Sequence, residues 1–82
     1  MSIALANMRV DLKHAIKLEQ DGELTAAASA YLNAQHNAAN AGRQKLANFC
    51  MARRILCLKV TGTKGWKKLN ERFIQMTDEV TT

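Results

Sequence analysis

The sequence predicts an all-α protein, and three properties of its composition support this prediction. The chain has 82 residues and no proline, so no residue obliges a helix to break. Hydrophobic residues make up 48% of the chain, yet only 5% of residues are aromatic, and the other apolar residues are mostly Ala, Leu, Ile, Val and Met. The glycines, at positions 22, 42, 62 and 65, leave long helix-permissive intervals. We therefore expect a single small helical domain spanning residues 1–82, with a thin core.

The first half of the chain predicts a tight helical hairpin. A first helix is expected over residues 3–20, with Ser2 as its N-cap and Asp21-Gly22 as its end. A second is expected over about residues 23–39. The apolar stripe of the first helix contains Leu5, Met8, Leu12, Ala15 and Leu18. That of the second contains Leu24, Ala27, Ala28, Tyr31, Ala34 and Ala38. Small residues at the contact, with larger side chains wedged between the helices, are typical of a tetratricopeptide-like hairpin.

The second half predicts a central third helix and a C-terminal amphipathic helix. The third, over about residues 43–60, carries two apolar stripes, which are Leu46, Phe49, Cys50, Leu56, Cys57 and Val60, and Ala47, Met51, Ile55 and Leu58. The last, over about residues 65–79, has apolar residues at steps of three and four: Trp66, Leu69, Phe73, Met76 and Val80. One stripe of the third helix can face the hairpin, and the other then needs cover. We therefore expect a homodimer, or an obligate heterocomplex, whose interface is made by Met51, Ile55, Leu58, Phe73 and Met76.

Positive charge is concentrated in the second half of the chain. The net charge is +5, but residues 1–41 hold three Lys or Arg against four Asp or Glu, whereas residues 42–82 hold nine against three. Lysines crowd the start of the last helix, where the helix dipole disfavours cations, so an anionic partner would relieve their repulsion. We expect a partner-binding surface made by Arg53, Arg54, Lys64, Trp66, Lys67 and Lys68. A solvated basic face and weak nucleic-acid binding are the alternatives.

No sequence pattern is typical of an active site. His14 and His36 stand in no metal-binding or nucleophile motif, and we predict no catalytic residues, no metal, no cofactor and no enzymatic activity. Cys50 and Cys57 are seven residues apart, too far for a bridge within one helix. We expect two buried thiols, and an intermolecular disulfide or a redox role is the alternative. Charged residues interrupt every apolar run, and the N-terminus lacks a signal-peptide layout. We therefore expect a cytoplasmic protein without membrane contact.

Three short segments resemble the ANR family of small negative regulators of bacterial virulence activators and the related PerC-like regulators, which also occur on prophages. The segments are Ala15-x-x-Leu18-Glu19-x-x-Gly22, Ala27-x-x-x-Tyr31-x-x-Ala34 and Phe49-Cys50-x-x-Arg53, and together they span roughly half of the chain. Where the family pattern has Trp and a Trp-Ala pair, this chain has Tyr31 and Gly42-Arg43. The resemblance implies a helical protein that binds an AraC-type transcription activator or a nucleoid-structuring protein.

The leading hypothesis is therefore a non-enzymatic transcriptional modulator that acts through protein–protein binding. A second hypothesis is a DNA-binding protein of phage or plasmid origin that uses its third helix and the lysines around Trp66, with affinity that falls steeply with salt. A third is a phage inhibitor of a host complex, of the anti-CRISPR type.

Overall fold

Four helices in succession, joined by short turns, build the fold. A computed structural model describes residues 3–81, with side chains described for residue 3 and for residues 6–76. The helices are α1 (Ile3–Gln20), α2 (Leu24–Asn40), α3 (Gln44–Thr61) and α4 (Trp66–Thr81). Residues 3–81 contain no strand, so the predicted all-α class is confirmed. The predicted N-cap Ser2 and the side chains of Leu5 and Val80 lie outside the described residues.

The helix ends share one type of glycine turn. At the end of α1, Gly22 has a φ of +82°, and its N–H donates to the carbonyl of Glu19 at 3.1 Å. The N–H of Glu23 donates to the carbonyl of Leu18 at 2.9 Å. These two bonds form a Schellman motif, which satisfies the last carbonyls of a helix and requires a left-handed residue at its glycine. The same pair of bonds recurs at positions 42–43 and 62–63.

The connection between α3 and α4 is longer than the other two connections. After Gly22 and Gly42 the next helix begins two residues later, whereas after Gly62 the chain continues through residues 63–65 before α4 starts at Trp66. The extra residues separate α4 from the end of α3. This longer connection allows concave surface to form on both sides of the α3–α4 contact.

Helix α2 lies at the centre of the fold because it packs against both α1 and α3. Most of its buried side chains are alanine, which lets neighbouring helices approach closely: Ala27, Ala28, Ala30, Ala34 and Ala38. Tyr31 and Cys50 are the largest completely buried side chains. The prediction that small residues of α2 form the hairpin contact, with Tyr31 in the core, is confirmed.

The molecule is a thin slab of 37 × 37 × 15 Å, with α4 packed on α3 at one edge. In a slab this thin, one arc of each helix faces its neighbours while much of the rest faces solvent. Helix α3 therefore has both covered and exposed apolar residues, but these do not divide along its two predicted stripes.

The arc of α3 that is covered does not fit the predicted dimer interface. Met51 and Ile55 are each only 5% exposed within the single chain, and Leu58 packs against the core. A side chain already covered by its own chain has little area left to bury against a second copy. The exposed apolar residues of α3 are instead Leu56 and Val60, together with Phe49. Because α3 lies between α2 and α4, the residues facing those two helices are buried whichever stripe they belong to.

Candidate protein-binding surface on helices α3 and α4

The six predicted partner-binding residues do not form one patch. Two concave surfaces flank the contact between α3 and α4. We call the first the basic concavity, and it is lined by Arg54, Leu58, Thr63, Lys64, Gly65, Lys68, Leu69 and Arg72. We call the second the α3–α4 groove, and it is lined by Ala52, Ile55, Leu56, Lys59, Trp66, Asn70 and Phe73. Neither Arg53 nor Lys67 lines either of them.

The basic concavity brings four cations together from three parts of the chain. Arg54 comes from α3, Lys64 from the connection, and Lys68 and Arg72 from successive turns of α4. None of the four forms an ion pair with a carboxylate among the described side chains. The concavity has a volume of about 320 Å³ and lies next to the N-terminus of α4, whose first turn has no acidic residue. The helix dipole adds to the positive potential there, so this surface attracts anions.

The α3–α4 groove has a different character, because its lining is mostly apolar. It encloses about 240 Å³ between Ile55 and Leu56 on α3 and Phe73 on α4. At one end, the ammonium nitrogens of Lys59 and Lys67 lie 5.5 and 5.9 Å from the centre of the Trp66 indole ring. At these distances both cations are attracted to the ring. Positive charge therefore borders an apolar cleft.

Sequence reasoning missed two cations of these surfaces, Lys59 and Arg72, and the groove wall at Leu56. Arg72 had a usable signal, since it lies one helical turn after Lys68 on the same face. Lys59 had none, because it is brought to Trp66 only by the turn around Gly62, and residue spacing across a turn does not encode such a contact.

Arg53 makes a structural contact and lies apart from the other residues predicted to bind a partner. Its Nε donates to Oε1 of Glu19 at 3.1 Å, and its Nη2 also contacts Oε2 of the same carboxylate. The hydroxyl of Tyr31 donates to Glu19 Oε1 at 2.8 Å. One carboxylate on α1 thus joins α2 and α3, and we call these three residues the Glu19 cluster. The physical reason is the register of α3, which directs Arg53 toward α1 and the next residue, Arg54, toward α4.

The Glu19 cluster contains one residue from each of the three segments named in the sequence analysis. Glu19 belongs to the first segment, Tyr31 to the second and Arg53 to the third, and the structure brings one residue of each into mutual contact. Each of the three segments therefore contributes one residue to a contact that joins α1, α2 and α3.

The cysteines and histidines are placed as the sequence predicted. Cys50 and Cys57 are buried free thiols, and burial raises the pKa of both. A raised pKa keeps a thiol protonated, and the protonated form is a poor nucleophile. His14 and His36 are exposed. Among the described side chains, no group of three His, Cys, Asp or Glu is placed to hold a metal ion.

None of the helices, over the residues that the structure describes, has the length and apolar character needed to span a membrane. Comparisons of the chain with protein-family models, with curated proteins and with solved structures find no match.

Proposed function

We propose that the protein is a non-enzymatic transcriptional modulator that acts by binding another protein. The observation that carries this proposal is the combination, on one helix pair, of an apolar groove with a cluster of cations beside it. Protein interfaces use an apolar centre for contact area and a charged rim for orientation and association rate. The resemblance to the ANR family suggests the class of partner, an AraC-type activator or a nucleoid-structuring protein.

The environment of the reactive side chains supports a binding role. Both thiols are buried with a raised pKa, and the two histidines project into solvent from different helices. Tyr31 is 1% exposed and its hydroxyl is engaged by Glu19. The groove, in contrast, offers apolar surface to a partner side chain.

A homodimer remains part of the proposal, with an interface formed by α4 in place of Met51 and Ile55. Ile74 and Met76 are exposed apolar residues on α4. Burial of such residues in a symmetric contact is a common source of stability for small domains. Static light scattering across a concentration series tests this point, and a monomer at every concentration would remove the dimer from the proposal.

A second candidate function, direct nucleic-acid binding, is favoured by one observation. Four cations without described carboxylate partners surround the basic concavity, and such a cluster attracts phosphates of any sequence. A net charge of +5 by itself produces weak, salt-sensitive binding. Only strong sequence preference, on the order of a thousandfold over random duplex, would indicate direct readout of DNA.

The experiment that separates the candidates is a pull-down of the tagged protein from bacterial lysate, with and without nuclease. We expect a transcription regulator to be captured in both conditions. Reversing two cations, in Lys67→Glu/Lys68→Glu, should slow association with this partner while the fold is unchanged, because both side chains are exposed. The matched control is Lys13→Glu/Lys45→Glu, which changes the net charge equally at exposed positions away from the site.

Three results would contradict the proposal. Capture that disappears after nuclease treatment, together with strong sequence preference for one duplex, would favour the DNA-binding candidate. Capture of a host nuclease complex in place of a regulator would favour a phage inhibitor of the anti-CRISPR type. Equal slowing of association by the control pair would show that only total charge matters.

A further inference from the structure

The α3–α4 groove combines features that select one kind of ligand. Its walls are formed by Ile55 and Leu56 on one side and Phe73 on the other, and Trp66 closes one end. A cavity of about 150 Å³ already admits a benzene-sized group. The groove, at about 240 Å³, therefore has room for at least one large apolar side chain of a partner.

Among the residues that line the groove, Lys59 is the one charged side chain, and none is a carboxylate. Helix α3 contains no acidic residue, and Glu71 is the one carboxylate among the described side chains of α4. Glu71 forms no ion pair with Lys67, although the two are one turn apart. Lys59 lines the groove beside Trp66, and the ammonium group of Lys67 lies near the same indole ring, at the border of the groove.

From this complementarity we propose that the groove binds an acidic amphipathic helix of a partner protein. Apolar side chains of that helix enter between Leu56 and Phe73, and its carboxylates lie against Lys59 and Lys67. This is the helix-in-groove mode of recognition, in which apolar anchors recur at every third or fourth residue. The inference rests on the proposed function, because it identifies the surface and the chemistry by which a protein partner is held.

A single-stranded nucleic acid fits the groove less well, although a tryptophan ring can stack on a base. Two ammonium groups already lie over the indole ring of Trp66, and a stacked base would have to displace one of them. The walls at Ile55, Leu56 and Phe73 offer a phosphate backbone no hydrogen-bond donor, and the donors of the lining are confined to Lys59, Trp66 and Asn70. An acidic helix with leucine or phenylalanine on one face contacts both parts of the site: its apolar side chains pack on the walls, and its carboxylates pair with the cations.

The lone tryptophan of the chain reports on the groove directly. The probe is a synthetic helical peptide of about 18 residues, or five turns, with Leu and Phe on one face and Glu on the other. We expect a shift of Trp66 emission and saturable binding to the full-length protein. A peptide with Lys in place of Glu, and one with Ser in place of Leu and Phe, should each bind about tenfold more weakly or worse.

Two variants locate the binding. Leu56→Ser removes an apolar wall of the groove, and Lys59→Glu/Lys67→Glu reverses the charge beside it. Each variant should bind the acidic peptide about tenfold more weakly or worse. The control for the first is Val60→Ser, an exposed apolar residue one turn away that does not line the groove. The control for the second is Lys13→Glu/Lys45→Glu. Circular dichroism and thermal melting of every variant establish that the fold is retained.

Several outcomes would overturn the proposal. These are no binding of the acidic peptide, equal binding of its basic counterpart, equal losses in the controls, or tighter binding of an oligothymidine to the Trp66 site. The two proposals also fail separately. If a regulator is captured equally by the parent and by Leu56→Ser, the groove is not the docking site and the proposed function stands. If the peptide binds as expected but no regulator is captured after nuclease treatment, the groove stands and the proposed function fails.

Discussion

The Glu19 cluster should couple the stability of three helices, and a double-mutant cycle measures this coupling. The variants are Glu19→Gln, Arg53→Met and the two combined. Glu19→Gln keeps an oxygen that accepts the Tyr31 hydroxyl but removes the negative charge that Arg53 binds. The cycle therefore isolates the interaction of the carboxylate with the guanidinium.

The expected magnitude depends on the exposure of the pair. The side chains of Arg53 and Glu19 are 36% and 22% exposed, so the pair is neither solvated nor deeply buried. Exposed ion pairs contribute about 0.2–1 kcal/mol, whereas breaking a fully buried pair costs about 3–5 kcal/mol. A guanidinium that contacts both oxygens of a carboxylate interacts more strongly than an ion pair of the same exposure with a single contact. We expect a coupling free energy of about 1–2 kcal/mol.

Urea denaturation monitored by circular dichroism provides the measurement. In a domain of this size each kcal/mol corresponds to a Tm change of about 4–8 °C, so melting curves give a second, independent readout. The coupling should decrease in high salt, because part of the pair is open to solvent. A coupling below about 0.3 kcal/mol, which is the usual error of additivity, would show that the cluster does not hold the helices together.

Three further predictions concern the helix contacts, the thiols and the turns. Ala34→Leu should destabilise the protein by about 1–3 kcal/mol, because Ala34 is fully buried. The control Ala39→Leu, at an exposed position of the same helix, should change stability little. Equal melting curves for the two variants would refute this prediction. Since burial raises the pKa of Cys50 and Cys57, the folded state holds their protons more tightly than the unfolded state. Stability should therefore fall as pH rises above about 8.5, where the unfolded thiols ionise, and the double Ala variant should lose less over that range. Gly62→Ala should cost about 1–2 kcal/mol in chemical denaturation because of its φ of +72°, and no change would mean that the turn adopts another conformation.

The helical class and most of the helix bounds could be predicted from the amino-acid sequence alone. Glycine turns, apolar spacing and the absence of proline are local properties, and local properties decide where a helix starts and ends. The same local rules placed Tyr31 and Ala34 in the core, because the packed face of α2 is recognisable from its small residues alone.

The free face of α3 and the grouping of the cations, in contrast, depend on how the helices pack. Apolar residues surround α3, so periodicity could not determine which arc α2 and α4 would cover; Met51 and Ile55 are buried, while Leu56 is exposed. Residues that are adjacent in the chain also contact different helices: Arg53 pairs with Glu19 on α1, whereas Arg54 lines the basic concavity beside α4. Consecutive helical residues point about 100° apart, so their partners depend on which helices lie on either side, and that arrangement is a property of the whole fold.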